Sequence, residues 1–173
     1  WRNNLVGETI DHGNKRMRIP EFKNTLYAKS WTALLTNTEF INLCRNNDYE
    51  LIFFPHLNMQ IYLSYFEVDK HVKVLSHKDI EIQELFASSA ILITDYSSVA
   101  FEMAYLKKPV LYYQFDKKEF LDSQGRNKGY FDYELDGFGP VCTDQSTLIS
   151  SLKQILENNG KPKDKYLERM ERY

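Results

Sequence analysis

The sequence predicts an α/β fold: an open parallel sheet with helices on both faces. Three observations carry that prediction. Short apolar runs rich in β-branched and aromatic residues recur along the chain, long enough for buried strands and too short for helices. Stretches with apolar residues at helical spacing lie between them, so strand and helix alternate at least four times. Polar residues stand where several runs stop, and sheets of this kind bind ligands outside the carboxyl ends of their strands.

Residues 1–24 are polar and mixed (Gly7, Asp11, Gly13, Asn14, Lys15, Arg16, Arg18) and read as a loop. Leu26 to Arg45 reads as one helix with the stripe Trp31, Leu34, Leu35, Thr38, Ile41 and Leu43, ended by Asn46-Asn47-Asp48. Tyr49–Phe54 reads as a buried strand, stopped by Pro55 with His56 just beyond. Met59–Phe66 follows as a short helix, Val72–Leu75 as a strand and Ile80–Phe86 as a helix. The central unit is strand Ile91–Thr94, turn Asp95-Tyr96-Ser97-Ser98, then helix Val99–Leu106, with Ser97 or Ser98 expected as its N-cap. Lys107-Lys108-Pro109 breaks the pattern before strand Val110–Tyr113. Residues 114–139 read as one polar and aromatic loop, too long for a bare connector. A short strand at Pro140–Cys142, a helix Gln145–Glu157 ended by Asn158-Asn159-Gly160, and a charged helix from Lys163 complete the chain.

At 173 residues the chain fits one domain with a sizeable core, and we expect residues 1–173 to act as a single unit. A composition of 43% hydrophobic and 27% charged residues argues against disorder. The net charge of −2 gives no nucleic-acid footprint, so no nucleic-acid partner is expected. Two cysteines, Cys44 and Cys142, form no metal-type cluster and read as reduced cytosolic thiols. No apolar run approaches the ~18 residues of a membrane span. The chain opens at Trp1-Arg2 rather than Met, which reads as a piece of a longer protein.

The strand ends hold the candidate chemistry. A histidine at position 56 can donate to a phosphate oxygen or work as acid or base, or it merely caps a loop. His77 stands after another strand but looks like an ordinary helix start. Ser97 and Ser98 offer hydroxyls and backbone N–H groups to a phosphate at a helix start, against the plainer reading of a capped helix. No Gly-x-Ser-x-Gly elbow surrounds them, and there is no Walker loop or GxGxxG. Asp95 and Glu102 stand too far apart in the pattern to act as a pair, and Glu102 suits a ribose or cap partner better than a metal. Lys128 can reach a phosphate, and Asp132 sits in Gly129-Tyr130-Phe131-Asp132-Tyr133-Glu134, which is a self-packed loop or a flap over a nucleotide or acceptor.

Thr94-Asp95-Tyr96-Ser97-Ser98-Val99-x-Phe101-Glu102, Lys108-Pro109-Val110, Asp116, Gly129–Glu134 and Gly139-Pro140, in that order, resemble the CDP-glycerol glycerophosphotransferase family of teichoic acid polymerases and primases. Trp1-Arg2 resembles the end of that family's Pro-Thr-Trp-Arg motif, and His56 lies where the family carries a histidine after a strand. The resemblance implies a Rossmann-like domain, the C-terminal, donor-binding half of a metal-independent GT-B transferase without a cofactor. It implies a CDP-glycerol or CDP-ribitol donor, CMP release, and a polymer or lipid-linked acceptor bound through an upstream half. The implied place of work is the cytoplasm, peripheral on the inner face of the membrane. Thr94, Ser97, Ser98 and Lys128 would then hold donor phosphates, His56 would stabilise the departing CMP, and Asp95, Glu102 and Asp132 would lie near the nucleotide. Lys128 stands where the family has Arg, and Leu57 where it has Pro after the histidine. A GT-B sugar transferase using a CMP-sugar, and a non-catalytic nucleotide-binding module, are the competing readings.

Overall fold

The computed structural model describes residues 21–123 and 131–173, so Trp1, Arg2, Lys128, Gly129 and Tyr130 lie outside the described residues. The chain forms two compact units, Trp1–Ile80 and Glu81–Tyr173.

The first unit carries helices α1 (Leu26–Leu35) and α2 (Thr38–Arg45), strand β1 (Leu51–Phe53), a 3₁₀ segment Leu57–Tyr65 and strand β2 (Val72–Val74). The single helix expected over Leu26–Arg45 is two. Thr36 turns its hydroxyl back to the Thr32 carbonyl at 2.8 Å, and Asn37 Oδ1 accepts the Phe40 N–H at 3.0 Å, starting a new helix. The apolar stripe runs through this break, so periodicity alone does not reveal it. Strands β1 and β2 pair in parallel, with Phe53 opposite Val74. Aromatic rings form the core beneath them: Phe22 stacks on Tyr62 at 4.0 Å, and Phe66 meets both Phe22 and Phe53 edge-on.

The second unit carries α3 (Ile82–Ser88), β3 (Leu92–Thr94), α4 (Ala100–Tyr105), β4 (Val110–Tyr113), α5 (Lys117–Ser123), β5 (Val141–Cys142), α6 (Gln145–Glu157) and α7 (Asp164–Met170). Its strands are parallel in the order β3-β4-β5. All four residues of the middle strand are buried, as a strand covered on both faces must be. Val110 and Tyr112 share a cluster with Ala100, Met103 and Ala104 of α4, whereas Tyr113, on the alternate face, bonds Gln145 of α6. The parallel α/β architecture expected from the sequence is therefore the one observed. Within residues 114–139, expected as loop, α5 is an added helix.

The helices stop abruptly. Lys107 takes a left-handed φ of 52° after α4, while the Lys107 and Lys108 N–H groups return to Ala104 and Met103 at 2.9 Å. Asn159, at φ 55°, closes α6 in the same way. Lys108 also donates its ammonium to the Phe86 and Ala87 carbonyls at 3.0 and 2.7 Å, which stops α3. At Gly139 the chain passes so near β4 that a Cβ would stand 1.7 Å from the Val110 carbonyl oxygen.

Candidate functional site

Parallel pairing puts the carboxyl ends of β3 and β4 side by side. Asp95–Ser98 leaves the first and Gln114–Lys117 the second. Thr94 closes β3 opposite Tyr112 and is only 8% exposed, so its side chain belongs to the sheet more than to the surface. Asp95 and Ser97 are half-buried, and Ser98 is exposed.

The expected serine N-cap is not formed. Helix α4 starts at Ala100 without a side-chain cap, and Ser97 Oγ meets the Val99 N–H only at 3.5 Å. The chain enters the helix through i→i+3 bonds, Ala100 N–H to Ser97 O at 3.4 Å and Phe101 N–H to Ser98 O at 3.0 Å. Hydrogen bonding within the described residues therefore leaves the Ser97 and Ser98 N–H groups and the Ser98 hydroxyl for something else. Six residues make a short dipole, so the amides and hydroxyls outweigh the helix dipole in the electrostatics of this turn. Glu102 is exposed on α4, one turn beyond the serines.

Tyr96 anchors the turn. Its ring stacks on Phe120 at 3.6 Å and 7°, its hydroxyl donates to Asp116 Oδ1 at 3.3 Å, and Tyr133 meets it edge-on at 5.7 Å. The side chain of Gln114, 1% exposed, donates to the Asp95 carbonyl at 3.4 Å. Position along the chain puts Tyr96 and Gln114 at the ligand edge of the sheet, but it assigns neither a role there. The available signal is a polar residue ending an all-apolar strand at Gln114, since a buried amide needs partners.

Asp132 is placed beside the turn through Tyr133, but its carboxylate serves its own loop. Oδ1 accepts the Glu134 and Leu135 N–H groups at 2.9 and 3.1 Å. Tyr133 packs against Tyr112, Phe131 and Tyr96. Burial, with the Asp95 carboxylate adding to it, pushes its phenol up to about 12, so it remains a proton-bearing donor. Lys117 pairs with Glu134 at 2.6 Å and ties α5 to the same loop. The second unit thus carries Thr94, Asp95, Ser97 and Ser98 at the end of β3, Glu102 on the helix that follows, and Asp132 on a loop that meets the turn through Tyr133.

His56 belongs to the first unit, at the start of the 3₁₀ segment that follows β1. It is exposed, and its Nδ1 accepts the Asn58 N–H at 3.1 Å. In that contact Nδ1 acts as the acceptor. His77, after β2, is held by Gln60, whose Oε1 also accepts the His77 N–H at 3.1 Å. Gln60 Nε2 donates in turn to the Pro55 carbonyl at 3.1 Å. Among the described residues no group of three or more His, Cys, Asp or Glu has metal-holding geometry, and no helix is long and apolar enough to cross a membrane.

The model of a family described as CDP-Glycerol:Poly(glycerophosphate) glycerophosphotransferase matches residues 8–173. The chain is 35% identical over 173 residues to the minor teichoic acid biosynthesis protein GgaB of Bacillus subtilis (strain 168), covering 100% of this chain and 19% of that protein. It is 31% identical over 167 residues to a teichoic acid glycerol-phosphate transferase of Staphylococcus aureus (strain NCTC 8325 / PS 47), covering 87% of this chain and 41% of that one. The solved structure of the wall teichoic acid polymerase TagF is similar at a TM-score of 0.57 and 25% identity, over 80% of this chain and 32% of its own. The chain thus spans less than half the length of each of these relatives.

Proposed function

The chain belongs to the CDP-glycerol:poly(glycerophosphate) glycerophosphotransferase family, and from that premise we propose that residues 1–173 form the donor-binding domain of a CDP-alcohol phosphotransferase. The donor is CDP-glycerol or CDP-ribitol, and the product is a teichoic acid or similar cell-surface polymer. An acceptor hydroxyl oxygen bonds the alcohol-bearing phosphorus, the bond from that phosphorus to the CMP oxygen breaks, and the hydroxyl proton passes to a base. CMP leaves carrying the developing charge. The reaction runs on the inner face of the membrane, with the acceptor held elsewhere in the whole protein.

One observation supports this reading: the turn after β3 holds two N–H groups and a hydroxyl that no acceptor or donor among the described residues uses. Such groups, fixed before the reaction, stabilise charge that builds on a leaving phosphate. Ser97 and Ser98 are assigned to the donor phosphates, with Thr94 as the strand end that supports them and Lys128 as a further phosphate contact. Asp95 and Glu102 are assigned to the nucleotide side, and Asp132 serves it through the loop it shapes. His56, in the first unit, is assigned the departing CMP, as the histidine that follows a strand end.

The test is CMP release by the full-length protein with CDP-glycerol, CDP-ribitol and a CMP-sugar as donors. Ser98→Ala and His56→Ala are expected to lose on the order of 10²–10³ in turnover with a CDP-alcohol, as when one donor is removed from an anion hole. Unchanged thermal midpoints would show that the fold survives. Wild-type turnover in both variants, or consumption of the CMP-sugar alone, would reject the proposal.

A further inference from the structure

We propose that Tyr96 is a positioning residue for the phosphate turn, and that it sets the direction of the Ser97 and Ser98 N–H groups through grips supplied by the end of β4. The inference rests on the reading of that turn as a phosphate cradle and adds to it the part that keeps the cradle in shape. The turn's own bonds are uneven: no side chain caps α4, the serine-to-valine contact is 3.5 Å and the first backbone bond into the helix is 3.4 Å, while the next, Phe101 N–H to Ser98 O, is 3.0 Å. The Ser97 side of the turn is thus the part that the helix holds least.

Tyr96, directly before the two serines, is held on several sides. Its N–H donates to Asp95 Oδ1 at 2.7 Å. Its ring lies face to face with Phe120 at 3.6 Å and against the edge of Tyr133 at 5.7 Å, and its hydroxyl donates to Asp116 Oδ1 at 3.3 Å. A planar side chain with two soft torsions, held at its face, edge and tip, leaves its Cα little freedom to move. Asp116 and Phe120 lie 20 or more residues further along, on the segment that leaves β4. Gln114, buried on the same strand end, reaches the Asp95 carbonyl that precedes the ring at 3.4 Å. Strand β4 thus controls the geometry of a turn that belongs to β3.

This arrangement predicts a distinct kinetic signature. Charge on the leaving phosphate grows towards the transition state, so misdirected amides cost more there than in the bound donor. Loosening Tyr96 should therefore lower kcat and leave KM for the donor nearly unchanged.

The experiment measures CMP release against CDP-glycerol concentration in the full-length protein, with thermal unfolding of each variant alongside. Tyr96→Leu, which removes the stack and the hydroxyl, is expected to lose roughly 30-fold or more in kcat with KM within about 3-fold. Tyr96→Phe and Asp116→Ala both break the hydroxyl-to-carboxylate bond and should lose about 3–10-fold each, while the double variant loses no more than the larger single loss. A Ser98→Ala variant separates the two claims. Because alanine keeps the backbone N–H, Ser98→Pro, which removes it ahead of α4, is measured alongside, and wild-type turnover in both overturns the cradle itself and this inference with it. An impaired Ser98→Ala beside a folded Tyr96→Leu of normal kcat overturns only the positioning role, as do multiplying losses in the Tyr96→Phe and Asp116→Ala pair. Should Tyr96→Leu fail to fold, the milder pair decides alone, since both keep the ring stack.

Discussion

Replacing Gly139 by Ala tests the packing of the second unit without touching its chemistry. The added Cβ would stand 1.7 Å from the Val110 carbonyl oxygen and 2.6 Å from its carbon. Carbon meets a carbonyl oxygen comfortably at about 3.3 Å, so roughly 1.6 Å must open between two backbones. Neither can rotate away as a side-chain tip would. Opening that gap also stretches the neighbouring bond from the Tyr112 N–H to the Pro140 carbonyl, now 3.0 Å, which joins β4 to the segment entering β5. Overpacking of this kind costs about 1–3 kcal/mol and the lost bond about 1 kcal/mol more. With roughly 2–4 °C per kcal/mol for a chain of this size, Gly139→Ala should melt about 4–16 °C lower. Thermal unfolding followed by circular dichroism measures it. Gly160→Ala is the internal standard: Gly160 sits at φ 68°, where Ala costs about 1–2 kcal/mol from backbone conformation alone. A Gly139→Ala midpoint no lower than that of Gly160→Ala would refute the close-approach argument.

The phenol of Tyr133 gives the protein an alkaline limit. Its pKa in the fold, about 12, lies above the unfolded value near 10, so its contribution is complete below pH 10 and drains away as the pH rises towards 12. Burial raises Tyr112 and Tyr113 as well, with the same sign. Urea midpoints should fall between pH 9.5 and 11.5, less steeply in Tyr133→Phe; equal slopes would remove Tyr133 from the account. In the first unit, Asn37→Ala deletes the cap that begins α2 and should lower stability by about 1 kcal/mol, with Asn37→Asp restoring it. Equal losses in the two variants would refute the capping role.

Much of this architecture is legible in the amino acids. Strand Val110–Tyr113 and helix Gln145–Glu157 match the bounds their patterns predict, because an all-apolar run and a clean stripe of Leu148, Ile149, Leu152 and Ile155 each allow one reading. The division at Asn37 escapes notice because the stripe continues across it, and only a polar N-cap marks the restart. Helix α5 escapes because Lys117-Lys118-Glu119 carries no apolar spacing. At the candidate site, position along the chain identifies Asp95, Ser97 and Ser98 as strand-end residues. It cannot show that Ser97 fails to cap α4, or that Tyr96 reaches Asp116 and Phe120, since those depend on neighbours in space rather than in sequence.

The Gly137 carbonyl accepts from the Arg169 guanidinium at 2.7 Å, while the next N–H, that of Phe138, donates to the Tyr112 hydroxyl at 3.3 Å. The motif's glycine-flanked loop is thus moored to the last helix, which carries no motif of its own. Anyone trimming the second unit at Asn158-Asn159-Gly160, where a helix visibly closes, would cut that mooring and leave the Gly137 carbonyl without its guanidinium. A cut after Met170 would keep that mooring but lose Tyr173, whose ring meets Phe101, Phe131 and Phe138.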